Sequence, residues 1–270
     1  MQKKPARSRA AILRQKRARR RTATVLAILI LIVLSVLSLT VFFNITTIEV
    51  SGRSAVYTDE EILASVDVAV GDNMFLFSAS KTARDLWTKL PYLDSVKIKR
   101  QLPDTVVIDI SDSRYSLVLP YAGGSLILSD SLKIVENTPS PPGGYTAVYG
   151  FQPSVFAVGR MLETDAEDGT QYLAELVSTL KTYGLLEGTT MINVSDRLNL
   201  SIVYEDRLFV MIGTASKLDY KVRMLRELVG VKLGAEESGN IDLSLAGKAT
   251  FSGGPLTLPD GYTAVAENGG

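Results

Sequence analysis

Few residues of this 270-residue chain are of the types that carry out nucleophilic, redox or metal chemistry. The chain contains no cysteine and no histidine, which excludes thiolate nucleophiles, Cys-ligated metals and every catalytic triad that needs an imidazole base. Carboxylates cluster in two places, at Glu163, Asp165, Glu167 and Asp168 and again at Glu236 and Glu237. Paired carboxylates can act as acid and base or bind calcium, but carboxylates in surface loops are usually solvated. We therefore predict that the protein is not an enzyme and has no catalytic, cofactor or metal site.

Two other chemical patterns are incomplete. The pair Gly247-Lys248 could end a phosphate-binding loop, but no glycine stands five residues before Gly247, and Ala249 occupies the place of the magnesium-binding Ser or Thr. A Ser–Lys dyad stays open as an alternative, although no S-x-x-K motif is accompanied by the further motifs of the enzymes that use one. Neither pattern predicts a small-molecule substrate.

The longest uncharged stretch is Val25 to Phe43, nineteen residues whose only polar members are Ser35, Ser38 and Thr40. As a helix it would be about 28 Å long, close to the ~30 Å hydrocarbon core of a bilayer. Ten Lys and Arg residues precede it, and the first acidic residue, Glu49, follows it. Because basic flanks stay in the cytoplasm, we predict a cytoplasmic tail at residues 1–24, a transmembrane helix at 25–43 and an extracytoplasmic remainder.

A cleaved signal peptide is the alternative interpretation of this stretch. The apolar part of a signal peptide is usually about 7–15 residues long and ends in a small-x-small cleavage site. The stretch here is longer and leads into Phe42-Phe43-Asn44-Ile45. An uncleaved anchor in the plasma membrane is therefore favoured.

The net charge of zero conceals an asymmetry along the chain. Nineteen of the 29 basic residues and all 29 acidic residues follow the apolar stretch, so the extracytoplasmic part is acidic. Because nucleic acid is also negatively charged, it is not the expected partner of this acidic part. Topology and attraction to anionic lipid of the bilayer explain the basic tail.

Residues 44–112 show the element order β-α-α-β-β. Residues 45–50 alternate as a half-buried strand does, and Thr58-Asp59-Glu60-Glu61 is a capping box that begins a short helix. A second helix is expected from Ser78 or Ser80 to Leu90, with Trp87 packed against the sheet or half-exposed. Alternating strands follow at 96–99 and 106–110. A sheet with two helices on one face satisfies these patterns.

The apolar pattern of residues 113–252 predicts a second domain, which contains strands and two amphipathic helices. The expected strands are 114–119, 125–128, 132–135, 155–161, 191–194, 198–204, 208–212, 240–245 and 248–251. The expected helices are 171–183, ended by Gly184, and 218–229, ended by Gly230. Glu205-Asp206 is predicted to make the tight turn between two strands. Residues 253–270 are rich in Gly, Pro and polar residues and are expected to be a flexible tail.

The order and spacing of these motifs resemble the FtsQ/DivIB cell-division family, most specifically over Leu90 to Ile110 (LPYLDSVKIKRQLPDTVVIDI). The resemblance implies an α+β fold, with an N-terminal transmembrane helix, a POTRA domain and then an antiparallel β-domain with helices. It also implies a non-catalytic divisome scaffold at the division septum that binds DivIC/FtsB-like and FtsL-like partners and helps to regulate septal peptidoglycan synthesis. Two alternatives stay open, namely a POTRA-containing membrane assembly or export factor and a membrane-anchored cell-wall enzyme.

The resemblance further implies a partner-binding site, because the last strands of the family's β-domain receive a strand from the DivIC/FtsB-like partner. Carried over to this chain, the site falls on Leu245, Lys248, Ala249 and Phe251. Members of the family commonly have an Arg-aromatic pair after the Asp-Leu of this strand, whereas here Asp242-Leu243 is followed by Ser244-Leu245. The side-chain contacts are therefore expected to differ. Leu245 and Phe251 could also be ordinary core residues of a terminal strand.

Overall fold

The computed structural model describes residues 9–141, 143–166, 168–245 and 247–258. Helix α1 (Arg9–Phe42) covers much of the predicted cytoplasmic tail and almost all of the predicted anchor. Within the described ranges, no helix combines the length and the apolar character that spanning a membrane requires. Residues 1–8 of the predicted tail and residues 259–270 at the other end lie outside the described ranges.

The first domain after α1 has the predicted element order. Its elements are β1 (Thr47–Ser51), α2 (Asp59–Ser65), α3 (Ala79–Lys89), β2 (Leu93–Gln101) and β3 (Thr105–Asp112). The described strands form a sheet in the order β1-β3-β2, with β1 parallel and β2 antiparallel to β3. Ile62 of α2 and Leu86 of α3 are buried against Leu93 and Ile108 of the sheet. Both helices therefore cover one face, as predicted.

Both helices of this domain begin where the sequence places their caps. The backbone N–H of Glu61 donates to the hydroxyl of Thr58 (3.2 Å), and the N–H of Thr58 donates to the carboxylate of Glu61 (2.9 Å). The capping box is thus complete. Ser78 caps α3 by accepting a hydrogen bond from the N–H of Lys81 at 3.3 Å.

The second domain contains a nine-stranded sheet within the described residues. Its elements are β4 (Tyr115–Tyr121), β5 (Gly124–Ser129), β6 (Ile134–Thr138), β7 (Thr146–Tyr149), α4 (Gly169–Thr182), β8 (Thr189–Asn193), β9 (Leu200–Tyr204), β10 (Leu208–Gly213), α5 (Leu218–Glu227), β11 (Gly239–Asp242) and β12 (Thr250–Gly253). The strand order is β12-β11-β10-β9-β8-β7-β4-β5-β6. Apolar residues of α4 and α5 cover one face and form the main core with it.

The sheet is mixed, so the prediction of an antiparallel β-domain was wrong in this respect. The pairs β4–β7, β7–β8 and β10–β11 are parallel. Helix α4 connects β7 to β8, and α5 connects β10 to β11, so each helix is a crossover between adjacent parallel strands. The four-residue strand β7 was not predicted, and the strand expected before α4 was placed at 155–161 instead.

One predicted strand and one predicted helix end differ from the structure, and one predicted turn is confirmed. Residues 155–161 are a loop rather than a strand, held by hydrogen bonds between Ile134 and the backbone of Gly159 and Arg160. Gly230 does not end the last helix, because the chain continues through it as a π-helical turn, Leu228–Lys232. The Glu205-Asp206 turn is confirmed, and both residues have positive φ angles, 52° and 53°.

A buried lysine connects the two domains. Lys133, in the turn between β5 and β6, is fully buried. Its ammonium donates to the carbonyl oxygens of Trp87 (2.6 Å), Leu93 (3.0 Å) and Leu90 (3.4 Å) at the end of α3 and the start of β2. Trp87 is half-buried, and its indole N–H donates to the carbonyl of Asp94 at 2.9 Å. The predicted packing role of Trp87 is therefore confirmed, and its contact with the second domain was not foreseen.

Candidate partner-binding edge

The last strand, β12, lies at an edge of the nine-stranded sheet. Within the described residues its strand neighbour is β11, with which it pairs antiparallel: Asp242 opposite Thr250, Ile241 opposite Phe251 and Asn240 opposite Ser252. All four residues of β12 are exposed. An edge strand of this kind presents backbone groups to which another extended chain can add.

The backbone groups that face this edge follow from the hydrogen bonds of β11. The N–H groups of Gly239 and Leu243 donate to Arg207 and Met211 on the β10 side. Because backbone groups alternate along a strand, those of Asn240 and Asp242 point to β12 and pair with Ser252 and Thr250. The N–H and C=O groups of Phe251 therefore point away from β11, toward the edge.

The Phe251 side chain lies on the face of the sheet that the helices cover. It stands directly opposite Ile241, and directly opposed residues of an antiparallel pair share a face. Ile241 is only 1% exposed, whereas Phe251 is 37% exposed. Phe251 thus extends the apolar face of the domain to its edge and remains accessible there.

The other predicted site residues lie just before β12. Leu245 is 66% exposed, and its carbonyl accepts a hydrogen bond from the N–H of Lys248 at 3.2 Å. Lys248 is exposed, and Ala249 is half-buried against the core. The strand begins at Thr250 rather than at the predicted Lys248. The structure therefore brings all four residues to one edge, and whether a partner binds there stays a prediction.

The first residues after β12, at the start of the predicted flexible tail, contact the sheet. The amide of Asn240 donates to the carbonyl of Pro255 (2.9 Å) and accepts from the N–H of Thr257 (2.8 Å). Leu256 packs against a small apolar cluster on the opposite face of the sheet, formed by Met191, Val203 and Phe209. Residues 254–258 therefore fold back across that face. The remaining residues of the predicted tail lie outside the described ranges.

One carboxylate of each acidic cluster holds the backbone of a loop. Asp165 accepts a hydrogen bond from the N–H of Gln152 (3.0 Å), and Glu237 accepts one from the N–H of Gly234 (2.8 Å). Asp168 precedes α4 with φ +62°, and Glu167 lies outside the described residues. The part of the chain that the structure describes contains no group of three or more acidic residues placed to hold a metal ion.

The described buried lysines both bind backbone carbonyls. Lys133 binds the end of α3, and Lys221 donates to the carbonyls of Ile212 (2.8 Å) and Thr214 (2.9 Å). Desolvation lowers the pKa of both ammonium groups, that of Lys133 to about 8. Ser78 and Lys81 have the S-x-x-K spacing, but the hydroxyl of Ser78 accepts a hydrogen bond from the backbone N–H of Lys81. This pair therefore caps the start of α3.

Known proteins are similar in sequence to the first domain and to most of the chain. The model of the FtsQ-type POTRA domain matches residues 43–112. The cell division protein DivIB of Clostridium botulinum is 24% identical over 242 residues, which cover 88% of this chain and 93% of the relative. The cell division protein FtsQ of Corynebacterium glutamicum is 25% identical over 108 residues, which cover 40% of this chain and 47% of the relative.

The chain therefore contains an FtsQ-type POTRA domain and is similar over most of its length to proteins named cell division protein DivIB. The family resemblance in the sequence is thereby confirmed, and residues 47–112 of the structure contain its β-α-α-β-β POTRA elements. A solved structure, the major extracytoplasmic domain of the trans isomer of DivIB from Geobacillus stearothermophilus, matches 46% of this chain and 99% of that chain. The match has 12% identity and a TM-score of 0.30.

Proposed function

We propose that this FtsQ/DivIB-type protein is a non-catalytic scaffold of the divisome that holds a partner by strand addition at β12. The partner is a DivIC/FtsB-like bitopic protein, joined by an FtsL-like protein, and the assembly helps to regulate septal peptidoglycan synthesis. Residues 25–43 anchor the scaffold in the plasma membrane, with the following domains outside. The observation that carries the proposal is the exposed edge of β12 with its outward backbone groups and accessible Phe251.

The chemistry of this edge favours an extended peptide segment as the ligand. The N–H and C=O groups of Phe251 can pair with a new strand. These backbone hydrogen bonds supply affinity that does not depend on the side chains of the partner. Specificity then comes from side chains at alternate positions. Phe251 and Leu245 offer apolar contacts there, so the partner strand is expected to place apolar side chains opposite them. The half-buried Ala249 contributes backbone rather than a large contact surface.

Binding by the full chain to the exterior part of the partner from the same organism tests the proposal. Phe251→Ala removes the ring and keeps the N–H, whereas Phe251→Pro removes both. We expect the first change to weaken binding about 10-fold, as for a moderate hot spot. The second should weaken it about 10-fold further, because one backbone hydrogen bond is also lost.

A matched control removes an exposed apolar side chain elsewhere. Val56, in the POTRA domain between β1 and α2, is 44% exposed, and Val56→Ser should leave partner binding unchanged. Circular dichroism of each variant verifies that the fold is kept. Unaltered binding by a folded Phe251→Pro variant would place the partner site away from β12.

A further inference from the structure

Exposed apolar side chains are concentrated at one end of the POTRA domain. Val70, Phe75 and Leu76, in the loop between α2 and α3, are 65%, 49% and 82% exposed, and Leu102, in the turn between β2 and β3, is 58% exposed. Large apolar side chains close together on a surface often mark a site of contact with a partner or a membrane. We call these four residues the proximal patch.

The α2–α3 loop is bound directly to the chain that leaves α1. The N–H of Met74 donates to the carbonyl of Phe43, and the N–H of Gly71 donates to the carbonyl of Ile45, both at 2.8 Å. The ring of Phe75 also contacts that of Phe43, with 5.3 Å between their centroids. The loop is therefore fixed beside the residues that immediately follow α1.

The β2–β3 turn lies at the same end. The N–H of Thr46 donates to the carbonyl of Asp104 (2.9 Å), and its hydroxyl donates to the Asp104 carboxylate (2.7 Å). The guanidinium of Arg100, near the end of β2, donates to the carbonyls of Met74 and Phe77, both at 2.8 Å. These bonds connect both parts of the proximal patch to the start of the domain.

We propose that the proximal patch inserts into the interfacial layer of the lipid bilayer and sets the POTRA domain against the membrane surface. This inference rests on the proposed anchoring of residues 25–43. Phe43 would then lie at the boundary of the hydrocarbon core, and Ile45 about 7 Å beyond it in extended chain. The headgroup layer on each side is roughly 5–8 Å thick. Residues hydrogen-bonded to Phe43 and Ile45 therefore fall within it.

The proximal patch has the composition that suits this layer. Phe75 and Leu76 are apolar side chains of the kind that interfacial segments bury at the headgroup boundary. The nearby carboxylates are engaged locally, because Asp72 accepts a hydrogen bond from the N–H of Ala69 (2.9 Å) and Asp104 accepts one from Thr46. The occupant is thus a lipid surface, to which the patch is brought by its covalent connection to α1.

Single-cysteine labelling of the full chain in lipid vesicles tests this proposal. The chain contains no cysteine, so a cysteine introduced by Leu76→Cys or Leu102→Cys can alone be labelled with an environment-sensitive fluorophore. The vesicles contain phosphatidylcholine and phosphatidylglycerol, with or without a lipid that carries a spin label below its headgroup. We expect the spin-labelled lipid to lower fluorescence several-fold at both positions, and aqueous iodide to have little effect.

Two further positions make the outcomes distinguishable. Leu245→Cys, at the partner-binding edge, should be quenched by iodide and unaffected by the spin-labelled lipid. Leu31→Cys, within the proposed anchor, should be quenched by the lipid alone. Lipid quenching at Leu31 without quenching at Leu76 and Leu102 would overturn the patch proposal and leave the anchor intact. Absence of lipid quenching at Leu31 would overturn the anchor and the patch together.

Discussion

The ammonium nitrogen of Lys133 lies 2.6 Å from the carbonyl oxygen of Trp87 and 3.9 Å from the centre of its indole ring. A lysine of the second domain thus occupies the C-terminal end of α3 in the POTRA domain. Carbonyls at the end of a helix have no partner within it, and the helix dipole favours a cation there. The ammonium also binds Leu93 on β2. The two domains therefore share a buried polar contact.

Replacing Lys133 should destabilise the protein. Lys133→Ala leaves the carbonyls of Trp87 and Leu93 without this donor and opens a cavity, so we expect the free energy of unfolding to fall by about 3 kcal/mol. Lys133→Met keeps most of the packing and should cost less. Urea denaturation followed by the fluorescence of Trp87, the single tryptophan, measures both changes.

An exposed lysine provides the control for this prediction. Lys99 pairs with Asp109 at 2.6 Å, and its side chain is 62% exposed. Lys99→Met should lower the free energy of unfolding by no more than about 1 kcal/mol. Equal losses for Lys99→Met and Lys133→Ala would contradict the role assigned to the buried contact.

The Lys133 contact should also make stability depend on pH. Burial lowers the pKa of this ammonium from 10.5 to about 8. Between these values the folded state loses the proton first while the unfolded state keeps it, so the free energy of unfolding rises with pH. Below pH 8 both states are protonated and the contribution is constant. The stability of the unaltered protein minus that of Lys133→Met should rise from pH 8 to 10, by at most about 1.4 kcal/mol per pH unit.

The subtraction in this experiment isolates the lysine. Burial raises the pKa of Tyr57, Tyr149 and Tyr204, which lowers stability as pH rises above about 10. These tyrosines are present in both proteins, so their contributions cancel. A difference that stays flat from pH 7 to 10 would show that the Lys133 pKa is not lowered in the folded state.

Gly159 is expected to tolerate no side chain, because it approaches the end of α3 closely. A Cβ added there would overlap the carbonyl oxygen of Thr88, and the φ of Gly159 is +83°. Gly184 has a similar φ, +69°, but has nothing within 4 Å of such a Cβ. Gly184→Ala should therefore cost about 1 kcal/mol for its backbone conformation alone, and Gly159→Ala several-fold more. Thermal unfolding of the two variants makes this comparison, and similar losses would argue against close contact between the domains.

The capping box should support α2 measurably. Thr58→Ala removes the oxygen that accepts from the N–H of Glu61, and we expect a loss of about 1 kcal/mol in the free energy of unfolding. Ser80→Ala changes an exposed hydroxyl in the first turn of α3 and should be close to neutral. Urea denaturation of both variants checks this, and an unchanged midpoint for Thr58→Ala would refute it.

The POTRA elements were predictable because their signals are local. The capping box at Thr58, the cap at Ser78 and the alternation around Ile98 and Ile108 each specify conformation within a few residues. The order of the elements then leaves few ways to cover one face of a three-stranded sheet. At the β12 edge, the predicted residues lie together in space, but their exposure depended on which strand ended the sheet.

The sequence by itself determined the types of most elements, the absence of thiol and imidazole chemistry, and the charge asymmetry on either side of the apolar stretch. Only the tertiary structure decided which strands are neighbours. Strand β7 has four residues and too little periodicity to be recognised, yet it makes two parallel pairs and converts α4 into a crossover. The burial of Lys133 was equally unpredictable, because a lysine is normally exposed. Its ammonium is buried because three carbonyl oxygens of the POTRA domain accept hydrogen bonds from it. Pairings and burials of this kind join distant residues, and no local pattern of side chains records them.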